Sequence, residues 1–150
     1  MRYFTGDNNL KFYKEPSEFN KKTDCNILKY AIGANMYMPA TMDNVLDKLM
    51  NDDFHSVGAI TLCMEDAIPA ADVEKAEQCT LELLKDLHEL KQKKETLNIP
   101  LIFIRVRTPE QFKNFAKKLN KNHLAELSGF NFPKFTANNG DLYFKTLEEL

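Results

Sequence analysis

A chain of 150 residues, 43% apolar and 28% charged, has the length and balance of one soluble globular domain able to bury a sizeable core. Its formal net charge of −2 argues against nucleic acid as the main partner, because phosphate binding normally needs a basic surface. Its apolar runs are too short for a membrane span, and the start MRYFTGDNNLKFYKEP lacks the apolar core of a signal peptide, so a cytoplasmic protein is expected.

Residues 1–33 mix aromatics with Lys, Asn and Pro and read as an extension that packs across the domain. Residues 34–38 form the first expected strand, stopped by Pro39. Thr41 can cap a helix beginning near Met42, where Val45, Leu46, Leu49 and Met50 make one apolar face. The run VGAITLCMED (57–66) follows, apolar almost throughout and ending in the adjacent carboxylates Glu65 and Asp66. A continuous Val/Ile/Leu-rich run suits a strand buried on both faces, hence a parallel sheet covered by helices.

Between about 72 and 94, Val73, Ala76, Leu83, Leu87 and Leu90 recur at spacings of a long amphipathic helix. Lys91, Lys93 and Lys94 near its end are flanked by Glu89 and Glu95, as on a solvated face. The third strand, LIFIRVR (101–107), carries Arg105 and Arg107 near its end. Thr108, Pro109, Glu110 and Gln111 then form a capping box with proline at the first helical position, and Phe112, Phe115, Ala116 and Leu119 supply the buried stripe. GFNFPKF (129–135) reads as a fourth strand with Pro133 and Lys134 at its end, and the remainder leads into another helix.

Strand and helix thus alternate in order, the pattern of a parallel α/β fold with right-handed crossovers. In such a fold the carboxyl ends of the strands carry chemistry, and this rim would gather Glu65, Asp66, Arg105 and Lys134. There is no GxGxxG and no GxxxxGK[ST], so neither phosphate loop supports nucleotide binding. Cys25, Cys63 and Cys79 are odd in number and widely spaced, which indicates neither a disulfide framework nor a zinc site; Cys63 reads as a buried thiol. His55, His88 and His123 are isolated, and His88, within the long helix, reads as a surface or core-boundary residue.

The series YMPAT (37–41), LCMEDAI (62–68), IRVR (104–107) and GFNFPK (129–134) resembles the citrate lyase beta-subunit and HpcH/HpaI aldolase group, and within it the branch of C-C bond lyases of the TIM-barrel fold. The resemblance implies a (β/α)₈ barrel, a magnesium ion, and cleavage or formation of a carbon-carbon bond through an enolate of a carboxylate or acyl thioester, coenzyme A being one candidate carrier. It matches Arg105 to the arginine that binds the substrate carboxylate or carbonyl oxygen, Glu65 and Asp66 to an acidic catalytic pair, and Lys134 to the Pro-Lys pair ending the fourth strand. Arg107, where relatives often have asparagine, joins Arg105 and Lys134 as a substrate-binding candidate, and it equally fits structural pairing at the rim. Cys63 departs from the aspartate common there.

A barrel of this type takes about 250 residues, so the chain is expected to be the amino-terminal half, residues 34–150 holding the first four β/α units. The resemblance places the family's metal-ligating Glu and Asp on later strands. The magnesium ligands are therefore expected after Leu150, and no metal ligand is assigned within the 150 residues. A homo-oligomer is expected, because a half-barrel leaves open sheet edges. The rival readings are a non-catalytic half-barrel serving as an assembly module, and a complete doubly wound domain of flavodoxin type.

Overall fold

The computed structural model describes residues 11–13, 18–54, 57–94 and 97–150. Most of the expected amino-terminal extension before residue 18, together with His55 and Glu95, lies outside the described residues. The elements run α1 (Cys25–Ala31), β1 (Asn35–Pro39), α2 (Val45–Met50), β2 (Ala59–Cys63), a 3₁₀ turn (Ala70–Asp72), α3 (Val73–Lys93), β3 (Leu101–Arg105), α4 (Pro109–Ala116), α5 (Lys121–Glu126), β4 (Gly129–Asn131) and α6 (Gly140–Glu148). All strand pairs are parallel and the spatial order is β1-β2-β3-β4. A doubly wound sheet reverses its strand order partway; this one never does. Sequential parallel strands with covering helices make half of a TIM barrel.

Side-chain alternation along the strands divides the interior into two faces. Ile60, Leu62, Ile102 and Ile104 turn toward the helices and join Leu84, Leu87, Phe112 and Phe115 in the main core. On the concave face, Ala59 and Leu101 pack with Phe19 and partly with Phe103, closing the amino-terminal end of the sheet. Every residue of β2 is buried, which explains its unbroken apolar run. Gly58 precedes it because a Cβ there would collide with the carbonyl oxygen of Ile32.

Several elements differ from the sequence expectation. The second and third strands end at Cys63 and Arg105 instead of Asp66 and Arg107, and β4 stops at Asn131. In each case the chain leaves the sheet at the rim, so the charged residues sit on turns at or just beyond the end of the ladder. α2 begins at Val45, not Met42, because Asn44 takes a left-handed conformation at φ 61° and Thr41 caps nothing. α1 and α5 are additions to the expected elements. Each has a side-chain N-cap: Asp24 accepts from the Asn26 amide, and Asn120 accepts from Asn122 and His123. At α4, Thr108 accepts from the Gln111 amide as expected, whereas the Gln111 carbonyl reaches past Thr108 to the Arg107 amide.

Buried ion pairs tie the helices together. Gln111 and Lys118 both donate to buried Glu77, joining α4 and its C-terminal turn to α3. Across α3 and α5, Lys91 Nζ lies 2.6 Å from Glu126 Oε2 and His88 Nδ1 lies 2.9 Å from Oε1. Nearby, the Lys21 ammonium donates to the carbonyls of Leu124, Ala125 and Leu127, so the segment before α1 caps the end of α5. Burial lowers the Lys21 pKa. Burial pushes the Glu126 carboxyl up, but its hydrogen bonds with Lys91 and His88 prevail and hold it below the ordinary glutamate range.

A depressed folded-state pKa contributes stability that is present above the unfolded value and lost as pH falls through the folded one. Glu126→Gln is therefore expected to destabilise the protein at neutral pH by about 1.5–3 kcal/mol, the range for a hydrogen bond to a charged group. The gap should close as acid titrates the wild-type carboxylate. Urea denaturation from neutral pH down through the carboxylate range checks this; a gap independent of pH would contradict it.

Candidate active site

The carboxyl rim gathers the charged groups around one buried carboxylate. Glu65 follows β2 and is buried. Its Oε2 lies 2.5 Å from Arg105 Nη2, in a close ion pair outside hydrogen-bond alignment, and its Oε1 lies 3.0 Å from Lys134 Nζ. Glu65 thus bridges the ends of β3 and β4. Arg105 is the last residue of β3, and its other nitrogen, Nη1, meets both Asp66 oxygens at 3.3 Å. The guanidinium carbon stands 5.7 Å from the centre of the Tyr37 ring, a cation-π distance.

These partners differ in how firmly they are held. The Glu65 side chain is 8% exposed, that of Asp66 63% and that of Lys134 85%. Asp66 also accepts from the Cys63 thiol at 3.3 Å. That hydrogen bond, with the charges of Arg105 and Lys134, outweighs desolvation and lowers the Asp66 pKa, so the group is ionised at neutral pH. Cys63 is buried as expected, and its thiol serves Asp66 in addition to packing. Lys134 sits at φ 49° on the turn after β4, a left-handed backbone that aims its chain back over the sheet end.

Arg107 has a different place. Since β3 ends at Arg105, strand alternation no longer carries Arg107 to the Arg105 face; its Nη1 donates to the Glu65 carbonyl at 2.8 Å and approaches those of Met64 and Ile68. It clamps the turn that presents Glu65 and Asp66. These contacts fit the structural pairing at the rim that the sequence also allowed for Arg107.

Beneath the charged ring lies a neutral polar layer that sequence reasoning did not single out. Thr61 Oγ1 donates to Asn35 Oδ1 at 3.0 Å, and Asn131 Nδ2 donates to Tyr37 Oη at 2.9 Å and to Thr61 Oγ1 at 3.3 Å. A cavity of about 580 Å³ opens above, lined by Tyr37, Arg105, Asn131, Pro133 and Lys134 among others. A cavity of similar volume at the opposite end is lined by Lys21, His88, Lys91 and Glu126, whose polar groups already serve each other and the end of α5.

Among the described residues, which run to Leu150, no group of three His, Cys, Asp or Glu side chains is placed to hold a metal ion. Glu65 and Asp66 are both engaged by cations, so these residues do not by themselves make a magnesium site.

Sequential parallel strands with a cation-lined cavity on the carboxyl rim define a TIM-barrel-type protein suited to binding an anion. The model of the family described as C-C_Bond_Lyase of the TIM-Barrel fold matches residues 26–150, and the chain belongs to that family. Comparison with curated proteins and with solved structures found no match. No helix among the described residues is long and apolar enough to cross a membrane.

Proposed function

We propose that the rim is the carboxylate-binding part of a carbon-carbon lyase working through an enolate, with chemistry of the HpcH/HpaI aldolase and citrate lyase beta-subunit kind. The observation that supports this most directly is the Arg105–Glu65–Lys134 cluster, which sets two cations beside an open cavity and fixes them with one buried acid. Arg105 presents a planar fork suited to a carboxylate or to the oxygen on which enolate charge develops. Asp66 is exposed and its bonds to Arg105 are long, so an incoming carboxylate displaces it, while Glu65 stays and keeps the fork aimed. Lys134 supplies a second, more exposed positive charge.

In this reading Glu65 and Asp66 act by holding and neutralising Arg105 between turnovers. Magnesium belongs to the proposal as an ion held by carboxylates other than these, and no step of the present residues depends on it. The substrate is a carboxylate or an acyl thioester, coenzyme A included, in a cytoplasmic homo-oligomer.

A second reading, an assembly module, is favoured by the open edge beside β4, where Leu142, Phe144 and Leu147 of α6 and nearby Phe135 are exposed. One experiment separates the two. Full-length protein is incubated with magnesium and a panel of β-hydroxy carboxylates and their thioesters, and release of the carbonyl product is followed beside sedimentation velocity. Product release supports the lyase. No turnover across the panel, with a sedimentation coefficient that rises with concentration, supports the module.

A further inference from the structure

The hydrogen-bond chain under the rim has a direction. The Asn35 carbonyl oxygen only accepts, so the Thr61 hydroxyl proton is committed to it. The Thr61 oxygen then accepts from Asn131 Nδ2, and the second proton of the same amide goes to the Tyr37 oxygen. Tyr37 is thus an acceptor within the network, and its own phenol proton is left to donate elsewhere. Its ring is half exposed, carries the Arg105 guanidinium, and lines the cavity with Arg105 and Lys134.

Position adds to this. Tyr37 pairs in register with Thr61, one side-chain step inward of Arg105, which pairs with Cys63, while Asn131 pairs with Arg105 itself. The Tyr37 side chain reaches across to Asn131 and brings its hydroxyl to the cavity that Arg105 also lines. The groups that hold the phenol, Asn131 and through it Thr61, are neutral, whereas those around Arg105 are charged. A carboxylate suits the arginine and a neutral oxygen the phenol.

We propose that Tyr37 is a specificity-determining residue: its hydroxyl, oriented by Asn131, donates to a neutral hydroxyl or carbonyl oxygen of a substrate whose carboxylate lies on Arg105. The substrate class is then a hydroxy- or oxo-substituted carboxylate bound with its carboxylate on Arg105 and its neutral oxygen on Tyr37. Asn131 is a positioning residue, acting through Tyr37. The inference rests on Arg105 as the carboxylate receptor, and its test keeps the two apart.

Malonate and hydroxymalonate differ by one hydroxyl, and their dissociation constants for the full chain are measured by calorimetry with magnesium present. Wild type is expected to favour hydroxymalonate about tenfold, the effect of one well-formed hydrogen bond. Tyr37→Phe should bring the ratio close to one while leaving malonate affinity within about twofold, because the ring under Arg105 remains. Asn131→Asp should also collapse the ratio, since a carboxylate there captures the phenol proton; thermal unfolding verifies that each variant is folded. A preference that survives in Tyr37→Phe, or a wild type with no preference, overturns the role of Tyr37 alone. Malonate affinity that is absent, or unchanged in Arg105→Ala, overturns the Arg105 reading and this inference with it.

Discussion

Arg105→Lys in the full-length enzyme is expected to lower kcat/KM by about 30- to 1,000-fold, which corresponds to about 2–4 kcal/mol of transition-state stabilisation by analogy with loss of an oxyanion donor. Lysine keeps the charge but not the fork. Arg105 now divides its nitrogens, Nη2 to buried Glu65 and Nη1 to exposed Asp66. Only the second can be released to substrate without breaking the anchor. A lysine ammonium is a single point with no such division, so it would either stay with Glu65 or leave it. Arg105→Ala should cost at least as much, and it also leaves Glu65 buried with Lys134 as its remaining partner. Steady-state kinetics on folded variants decide the matter: an unchanged kcat/KM in both would remove Arg105 from the mechanism.

The parts of this site that were legible in the sequence share a physical cause. Each of Glu65, Asp66, Arg105 and Lys134 stands at or just beyond the end of an apolar strand, where a parallel sheet delivers its side chains to one rim. Sequential strand order also followed from the regular alternation of elements. The inner polar layer was not legible, because Asn35, Thr61 and Asn131 are single polar residues in short strands and meet only across the sheet. Their parity held the signal: the register sets Asn35, Tyr37, Thr61 and Asn131 on the same concave face as Arg105.

Arg107 is a different case. The ladder of β3 ends at Arg105, so strand alternation does not fix the side of the sheet that Arg107 serves, and the carbonyls of the turn after β2 take its guanidinium. The Glu126 cluster was hidden for another reason. Lys21, His88, Lys91 and Glu126 come from three separate parts of the chain, and a histidine judged isolated by sequence spacing is paired in space. α5 escaped notice because six residues give too short a window for periodicity.

Phe112→Ala is expected to cost about 3–5 kcal/mol of stability, the upper range for truncating a buried ring. Phe112 is fully buried on α4, and its ring lies 4.8 Å from Phe130, 5.2 Å from Phe132 and 6.3 Å from Tyr143, centre to centre. It therefore joins the helix layer to β4 and to α6 at once. Residues 130 and 132 flank Asn131 and lead to Lys134, so a cavity under them loosens the part of the rim that orients Tyr37 and carries the second cation. Among the described residues β4 is short and pairs with β3 alone, so it relies on core packing, Phe112 included. Phe144→Ala is the comparison: its half-exposed ring meets Phe132 and Phe135 only edge-on, so the loss should be smaller, about 1 kcal/mol. Urea denaturation followed by far-UV circular dichroism suits a chain without tryptophan. A loss in Phe112→Ala no larger than in Phe144→Ala would mean that β4 is held by something other than this aromatic cluster.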